Sequence, residues 1–208
     1  MEDVLDVYEQ PYNAAEPVVC FDETSKQLIQ EVRLPTPAAP GQVAKEAYEY
    51  QRNGTRNLFM FFEPLAAWRH IRATDHRTSQ DFAHCMQWLV DNVYPHARCI
   101  HLVLDNLNIH SPAALYETFQ PSVARRILAR LRFHHTPKHG SWLNMAEIEL
   151  GVLARLALDQ RIPDPTRLNR IIWHYEANRN KKRATVNWQF TTADARIKLR
   201  RLYPSISC

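Results

Sequence analysis

The order of apolar segments in the chain predicts an α/β fold in which a mixed central β-sheet is flanked by α-helices. In the first part of the sequence, short apolar runs that predict strands follow one another directly, as in antiparallel hairpins. From about residue 78 onward, strand-like runs alternate with segments whose apolar residues recur at helical spacing. Antiparallel strands followed by a strand–helix alternation are typical of a mixed sheet with helices on its faces.

Six segments predict strands, each a short run of apolar or β-branched residues bounded by proline, glycine or polar residues. They are residues 17–21, 27–33, 57–62, 68–73, 99–104 and 132–135. The second is expected to pair with the first as its antiparallel neighbour, with the turn-prone sequence Asp22–Ser25 between them. The third suits a central strand and the fourth an edge strand. Because residues 34–54 contain three prolines and two glycines, they predict a long loop.

Helices are predicted where a capping residue precedes apolar positions at helical spacing. A cap at Thr78 or Ser79 begins the first of these helices, and Ser111 caps another. Further helices are predicted over residues 121–131, 144–158 and 166–180, and over a basic segment ending near residue 202. The helix 144–158 carries an apolar stripe formed by Leu143, Ile148, Val152 and Leu156. Residues 1–16 are acidic and predict a short helix or a tether before a main domain of residues 17–208.

The composition excludes several functional classes. The chain has only four glycines and neither of the common phosphate-binding glycine motifs, so no nucleotide cofactor is expected. Its four cysteines show no CxxC spacing, which favours free thiols over zinc sites or disulfides. No apolar stretch reaches the length of about 18 residues that a membrane span needs, and the acidic start does not fit a signal peptide. We therefore expect no membrane partner and a cytoplasmic location.

Charge is distributed unevenly along the chain. Residues 1–50 contain ten acidic and three basic side chains, whereas residues 51–208 contain twelve acidic and twenty-three basic ones. Basic side chains displace counterions from phosphates, so a basic body suits a polyanionic partner such as nucleic acid. A solvated basic surface explains the same balance equally well.

Three acidic residues are the candidates for chemistry. Asp22 and Asp105 each follow a predicted strand, and Glu147 falls in the first turn of a predicted helix. An unpaired carboxylate at the end of a buried strand is costly, and a divalent cation is one way to compensate its charge. Mg²⁺ prefers hard oxygen ligands, and two such ions can activate the attacking oxygen and stabilise the leaving oxygen of a phosphodiester.

Each of these acids also has a purely structural explanation. Asp22 would be explained by a turn, Asp105 by an Asx-turn after its strand, and Glu147 by the favourable field at a helix N-terminus. The chemical interpretation therefore depends on the three acids occurring together.

The segments around these acids resemble three blocks of a known family. Residues 19–24 (VCFDET), 102–110 (LVLDNLNIH) and 136–149 (TPKHGSWLNMAEIE) look like the catalytic blocks of Tc–mariner-like DDE transposases, in their bacterial insertion-sequence branch. The element Asn144-x-x-Glu147 is similar to the Asn-Pro-Ile-Glu block of that superfamily. The resemblance extends from about residue 17 to about residue 204.

The resemblance implies an RNase H-like fold with a catalytic triad that cuts and joins DNA. By this resemblance Asp22 would bridge two Mg²⁺ ions, for which Mn²⁺ is a substitute, while Asp105 and Glu147 would each hold one ion. Water and later a DNA 3′-hydroxyl would be the nucleophiles, in cleavage at transposon ends and then in strand transfer into target DNA. The implied partners are double-stranded DNA and a second copy of the chain, as a homodimer in the bacterial nucleoid. Glu23 and Glu149 are interpreted as non-catalytic acids.

Further polar residues are candidates for DNA contact. They lie in the loop after the second acid, in the loop before the third, and in a basic run towards the C-terminus. They are Asn106, Asn108, His110, Lys138, His139, Lys181, Lys182 and Arg183. The first three would alternatively orient Asp105 through loop hydrogen bonds, and the basic run would alternatively be a solvated face.

The start of the chain leaves the overall role open. Family members carry an N-terminal helix-turn-helix region that recognises transposon ends, and only about sixteen residues precede the first predicted strand here. One hypothesis is therefore a catalytic domain, and another is a catalytically silent DNA-binding or dimerising remnant. A third is an RNase H-like nuclease that acts on a DNA junction or an RNA–DNA hybrid.

Overall fold

The computed structural model describes residues 1–32, 40–41, 49–138 and 140–203, which form a three-layer α/β/α domain. The strands are β1 (Val18–Glu31), β2 (Tyr50–Glu63), β3 (Trp68–Thr74), β4 (Ile100–Leu104) and β5 (Leu131–His135). The helices are α1 (Glu2–Tyr8), α2 (Ser79–Trp88), α3 (Pro112–Thr118), α4 (Pro121–Leu128), α5 (Met145–Leu153), α6 (Pro165–Lys181) and α7 (Thr192–Lys198). Five-residue π-helical turns, Leu89–Val93 and Ala154–Leu158, continue α2 and α5, and 3-10 turns cover Ser141–Leu143 and Arg200–Leu202.

The sheet is mixed, with the strand order β3-β2-β1-β4-β5. β1 and β3 each pair antiparallel with β2, whereas β4 runs parallel to both β1 and β5. The predicted mixed sheet between helices is therefore confirmed, and the strand predicted at an edge is the edge strand β3.

A single long strand takes the place of two predicted ones. β1 continues without interruption through Asp22–Ser25, so the turn predicted there and the separate strand predicted to follow it are wrong. The physical reason is that β2 is equally long and pairs with β1 from Cys20 to Glu31, which gives the turn-prone segment hydrogen-bonding partners. A register shift between Gln27 and Ile29 marks a β-bulge in this pairing.

The predicted loop 34–54 also ends earlier than expected, because β2 already begins at Tyr50. Gly54 adopts a φ of +87° inside this strand, a conformation that glycine tolerates without strain. Residues 33–39 and 42–48, which include most of the predicted loop, lie outside the described residues.

The two faces of the sheet carry separate apolar cores, because side chains alternate in direction along each strand. On one face, Cys20 and Leu28 belong to a core shared with α1, α5, α6 and α7. On the other face, Phe21 belongs to a core shared with α2, α3 and α4. By the same alternation, Asp22 faces the α5 side of the sheet and Glu23 faces the α2 side.

The N-terminal residues form a helix that packs on the sheet, and a predicted cap begins α2. Of the two alternatives for residues 1–16, the structure has the short helix, α1, and its Val4 and Leu5 are buried in the first core. Thr78 caps α2 in a capping box with Asp81.

No helix in the described ranges is long and apolar enough to cross a membrane.

The buried face of α5 differs from the predicted apolar stripe. Ile148 is 39% exposed, and Leu156, in the π-helical turn after α5, is 70% exposed. The helix is apolar on nearly all sides, so periodicity alone did not single out the face that packs on the sheet. The buried residues of α5 are Met145, Ala146, Glu149, Leu150 and Leu153.

Candidate active site

The parallel register of β1 and β4 brings two of the candidate acids to the same end of the sheet. Cys20 pairs with Val103, and extending this register by two residues sets Asp22 opposite Asp105. Asp105 directly follows β4, as predicted. Asp22 does not follow its strand but lies within β1, in the part that extends past the pairing with β4.

The third acid approaches the same region through the N-terminus of α5. Asn144 caps this helix, since its Oδ1 accepts a hydrogen bond of 3.1 Å from the backbone N–H of Ala146. Its Nδ2 donates a second hydrogen bond of 2.8 Å to the carbonyl oxygen of Phe21 in β1. The cap is therefore attached to the strand beside Asp22, and Glu147 follows it as an exposed residue of the first helical turn.

The three acids are close enough to influence one another electrostatically. The pKa of Asp22 is raised to about 7, chiefly because its carboxyl is partly buried. The negative charges of Glu23, Asp105 and Glu147 add to this increase, whereas the backbone N–H of Glu23, 2.8 Å from Oδ1, opposes it. Repulsion of this kind between carboxylates is reduced by a bound cation.

Behind these acids, His110 links two carboxylates from different strands. Its Nδ1 lies 2.6 Å from Oδ1 of Asp105, and its Nε2 lies 3.0 Å from Oε2 of Glu23. The imidazole also packs against the rings of Phe21 and Phe82. Because His110 is only 1% exposed, its position favours the orienting role over direct contact with DNA.

These contacts also shift the pKa values of His110 and Asp105. Burial alone would lower the pKa of His110, but its interactions with Asp105 and Glu23 raise the pKa to about 9. Burial likewise opposes ionisation of Asp105, but His110 outweighs it and holds the pKa of Asp105 below its usual value. A protonated His110 beside an ionised Asp105 follows from these directions.

Glu149, two residues after Glu147, belongs to a different set of interactions. Its carboxylate is fully buried, 2.9 Å from Nε of Arg69, and it accepts hydrogen bonds from Arg179 at 3.0 and 2.6 Å. The hydroxyl of Tyr175 donates a further hydrogen bond of 2.6 Å. These contacts join α5 to β3 and α6, which supports the interpretation of Glu149 as a structural acid.

The sequence profile of the DDE superfamily endonucleases matches residues 17–169, a span that contains Asp22, Asp105 and Glu147. The chain belongs to this family. The resemblance to DDE-type proteins that the sequence blocks indicated is therefore confirmed. Comparison with the curated proteins finds no match.

Two solved structures resemble the fold of this DDE family member. A chain of the Mos1 strand transfer complex is 14% identical with a TM-score of 0.55, and the match covers 84% of this chain and 50% of that one. A chain of the simian T-cell lymphotropic virus intasome, in complex with PP2A regulatory subunit B56 gamma, is 11% identical with a TM-score of 0.50. That match covers 79% of this chain and 50% of the other, so the chain spans half the length of each. These likenesses confirm the predicted RNase H-like fold.

A cleft of about 390 Å³ opens beside the second acid of the DDE domain. It is lined by Asp105, Asn106, Leu107, Thr136, Pro137, Lys138 and Ser141. Two of the predicted DNA contacts, Asn106 and Lys138, are exposed and lie in this lining, and Asn108 is exposed nearby in the same loop. His139, another predicted contact, lies outside the described residues.

The basic run at the end of α6 lies elsewhere. Lys181, Lys182 and Arg183 are exposed and do not belong to the lining of the cleft beside Asp105. α6 packs against β3, and β2 lies between β3 and the strand that carries Asp22. The structure therefore does not bring these three residues together with the candidate triad.

The three acids suit a metal ion by the type of ligand atom they offer, not by their present arrangement around a common point. Within the described ranges, no three acidic, histidine or cysteine side chains are gathered tightly enough to hold a metal as they stand. Asp22, Asp105 and Glu147 nevertheless offer the carboxylate oxygens that Mg²⁺ prefers. Burial, and to a smaller extent repulsion by the neighbouring acids, raises the pKa of Asp22, and a divalent cation would offset this cost of ionisation.

Sequence reasoning missed the buried partners of these acids. Arg69 was placed in an edge strand without a function, although strand alternation puts it on the same face as the buried Ile71. A buried arginine needs an acidic partner, and this requirement is a signal that such a partner exists, but it does not single out Glu149 among the acids of the chain. The pairing of Glu23 with His110 had no such local signal, because the two residues come from distant parts of the chain.

Proposed function

We propose that the chain is the catalytic domain of a transposase, which cleaves DNA phosphodiesters with divalent metal ions and transfers DNA strands. The observation that supports this most strongly is the placement of the three acids by the fold: the register of β1 and β4 sets Asp22 opposite Asp105, and Asn144 attaches the first turn of α5, with Glu147, to the strand beside Asp22. Membership of the DDE superfamily endonucleases agrees with it. The fold is also found in proteins of a strand transfer complex and of a viral intasome.

In this proposal Asp22, Asp105 and Glu147 hold two Mg²⁺ ions, and Mn²⁺ substitutes for them. When bound, the ions activate the attacking oxygen and stabilise the leaving oxygen of the phosphodiester. The chain itself orients the ligands. His110 fixes Oδ1 of Asp105, the backbone N–H of Glu23 fixes Oδ1 of Asp22, and the N-terminus of α5 favours negative charge beside Glu147.

The proposed partner is double-stranded DNA, bound by a homodimer of the chain. Asn106 and Lys138 lie in the cleft beside Asp105, where a scissile phosphate would approach. The exposed run Lys181–Arg183 would contact the backbone of the same duplex farther from the cut. Basic side chains at such positions strengthen binding without reading the sequence.

The direct test is a nicking assay with purified chain and supercoiled plasmid. We expect nicks in the presence of Mg²⁺ or Mn²⁺ and none when EDTA removes the ions. Parallel assays with an RNA–DNA hybrid and a DNA junction separate a transposase-type domain from a nuclease of another role. Salt-dependent DNA binding without cleavage under any metal would contradict the proposal and favour a catalytically silent remnant.

A second prediction concerns the basic run. Replacing Lys181 and Lys182 together by alanine removes two exposed cations, so the slope of log affinity for DNA against log salt should decrease by about 2. Fluorescence anisotropy with labelled duplexes at several salt concentrations measures the slope. Glu117→Gln, which alters an exposed acid on α3, serves as the control and should not reduce the slope. An unchanged slope in the double variant would place the DNA path elsewhere.

A further inference from the structure

One buried side chain connects the strand of the first acid to the helix of the third. Asn144 is 1% exposed, and both ends of its amide are used. Its Nδ2 donates to the carbonyl of Phe21, the residue before Asp22, and its Oδ1 accepts from the N–H of Ala146, the residue before Glu147. The amide thus bonds to the backbone of β1 and to the backbone of α5, in each case at the residue that precedes a candidate acid.

Capping of the helix does not by itself explain an asparagine at this position. Serine, threonine and aspartate side chains likewise accept an N–H of the first helical turn. Thr78, Asp164 and Thr191 do so at the N-termini of α2, α6 and α7. What asparagine adds is an N–H donor on the same side chain, which serine lacks at that reach and ionised aspartate lacks altogether.

The donor bonds to β1 at the point where this strand has, among the described residues, no neighbouring strand on one side. The pairing of β1 with β4 ends at Cys20, just before Phe21, so β1 loses its lateral neighbour on this side where Asp22 begins to face the site. The amide of Asn144 supplies a lateral attachment at that point. The 3-10 turn before the cap is held in addition by the hydroxyl of Tyr8, which donates to the carbonyl of Leu143 at 2.8 Å.

We propose that Asn144 is a positioning residue that fixes the separation of Asp22 and Glu147, so that both carboxylates can reach the same metal ions. The inference rests on the proposed function, because it takes these two acids as ligands of shared ions. Loss of the Nδ2 donor removes the hydrogen bond between the cap of α5 and β1 while leaving both acids in the chain. Metal affinity then falls even though the ligands are intact.

The test compares Asn144→Ser with Asn144→Ala. Serine keeps a capping oxygen but is too short to bond to Phe21, whereas alanine loses both interactions. Thr191→Ala, which removes the cap of α7, controls for a general loss of stability. Three quantities are measured for each: the melting temperature by circular dichroism, the affinity for Tb³⁺ by sensitised luminescence, and the Mg²⁺ concentration that gives half-maximal nicking.

We expect Asn144→Ser to remain folded, to bind Tb³⁺ about tenfold or more weakly, and to need correspondingly more Mg²⁺ for nicking. Thr191→Ala should keep the wild-type affinity. Should the serine variant not fold, Asn144→Asp, which keeps the size and the capping oxygen, is expected to lose Mg²⁺-dependent nicking in the same way.

Wild-type Tb³⁺ affinity in Asn144→Ser would overturn the inference and reduce Asn144 to a helix cap. An equal loss of affinity in Thr191→Ala would overturn it as well, as would the absence of Tb³⁺ binding by the wild-type chain. If the wild-type chain binds Tb³⁺ in an Asn144-dependent manner but cuts no DNA, the proposed function fails and the positioning role stands.

Discussion

Asp22→Asn is expected to abolish metal-dependent nicking while leaving the fold intact. The substitution conserves size and removes one charge from the set that would hold the ions. Loss of several kcal/mol of stabilisation by the metal corresponds to a decrease in rate of about a thousandfold or more. The rate is measured from the conversion of supercoiled plasmid to open circles at saturating Mg²⁺.

The stability of this variant should change in the opposite direction to its activity. The carboxyl of Asp22 is partly buried and repelled by neighbouring acids, so its ionised form is less favourable in the metal-free chain. A neutral amide at this position removes that unfavourable charge, and the melting temperature without metal should equal or exceed the wild-type value. This combination separates a ligand from a residue that merely supports the fold.

Asp105→Ala should also abolish nicking, but this variant tests the metal-ligand role less cleanly than Asp22→Asn does. Its loss leaves the buried His110 without one of its two acidic partners, which destabilises the fold in addition. Glu117→Gln, a change at an exposed acid on α3, is the matched control and should leave the rate unchanged. Wild-type nicking by Asp22→Asn would remove Asp22 from the site and with it the proposed mechanism.

The sequence was sufficient for those parts of the candidate site that depend on local signals. Asp105 follows an apolar run that forms a strand, and Glu147 follows an asparagine that caps a helix. Asp22 was expected to follow its strand and instead lies inside β1, because the length of β1 depends on pairing with β2. Long-range pairing decides whether a turn-prone segment becomes a strand, and local sequence does not report it.

The buried charges are the other feature that local sequence could not provide. Glu149 lies on a helix with apolar residues on nearly all sides, and only Arg69 in β3 and Arg179 in α6 determine that its face is the buried one. The same holds for His110, which lies in the loop after β4 and whose partner Glu23 comes from β1. Such interactions appear only once the sheet has brought distant segments together.

The set of contacts around Glu149 leads to the largest expected effect on stability. Glu149→Gln keeps the shape of the side chain but removes the ion-pair partner of the fully buried Arg69. Breaking a buried ion pair by removing one partner typically costs about 3–5 kcal/mol. Since domains of this size are stable by only about 5–15 kcal/mol, the variant should approach the limit of folding. Urea denaturation followed by circular dichroism measures the difference.

A double variant provides the control for this interpretation. In Arg69→Met with Glu149→Leu, both buried charges are replaced by apolar side chains, while Arg179 remains partly exposed and can be hydrated. Replacement of a whole buried ion pair is often neutral or stabilising, so the double variant should recover much of the stability lost in Glu149→Gln. A cost below about 1 kcal/mol for the single variant would show that the pair contributes little.

Glu147→Gln completes the comparison, because it changes the acid two residues earlier on the same helix. Glu147 is exposed and Glu149 is fully buried, so the first substitution should lower nicking at nearly unchanged stability. The second should lower stability through its loss of charge pairing. If both variants instead lost activity in proportion to stability, α5 would carry no ligand and the assignment of Glu147 would fail. Separate effects at two positions one helical half-turn apart require that one acid faces the candidate metal site and the other faces the core.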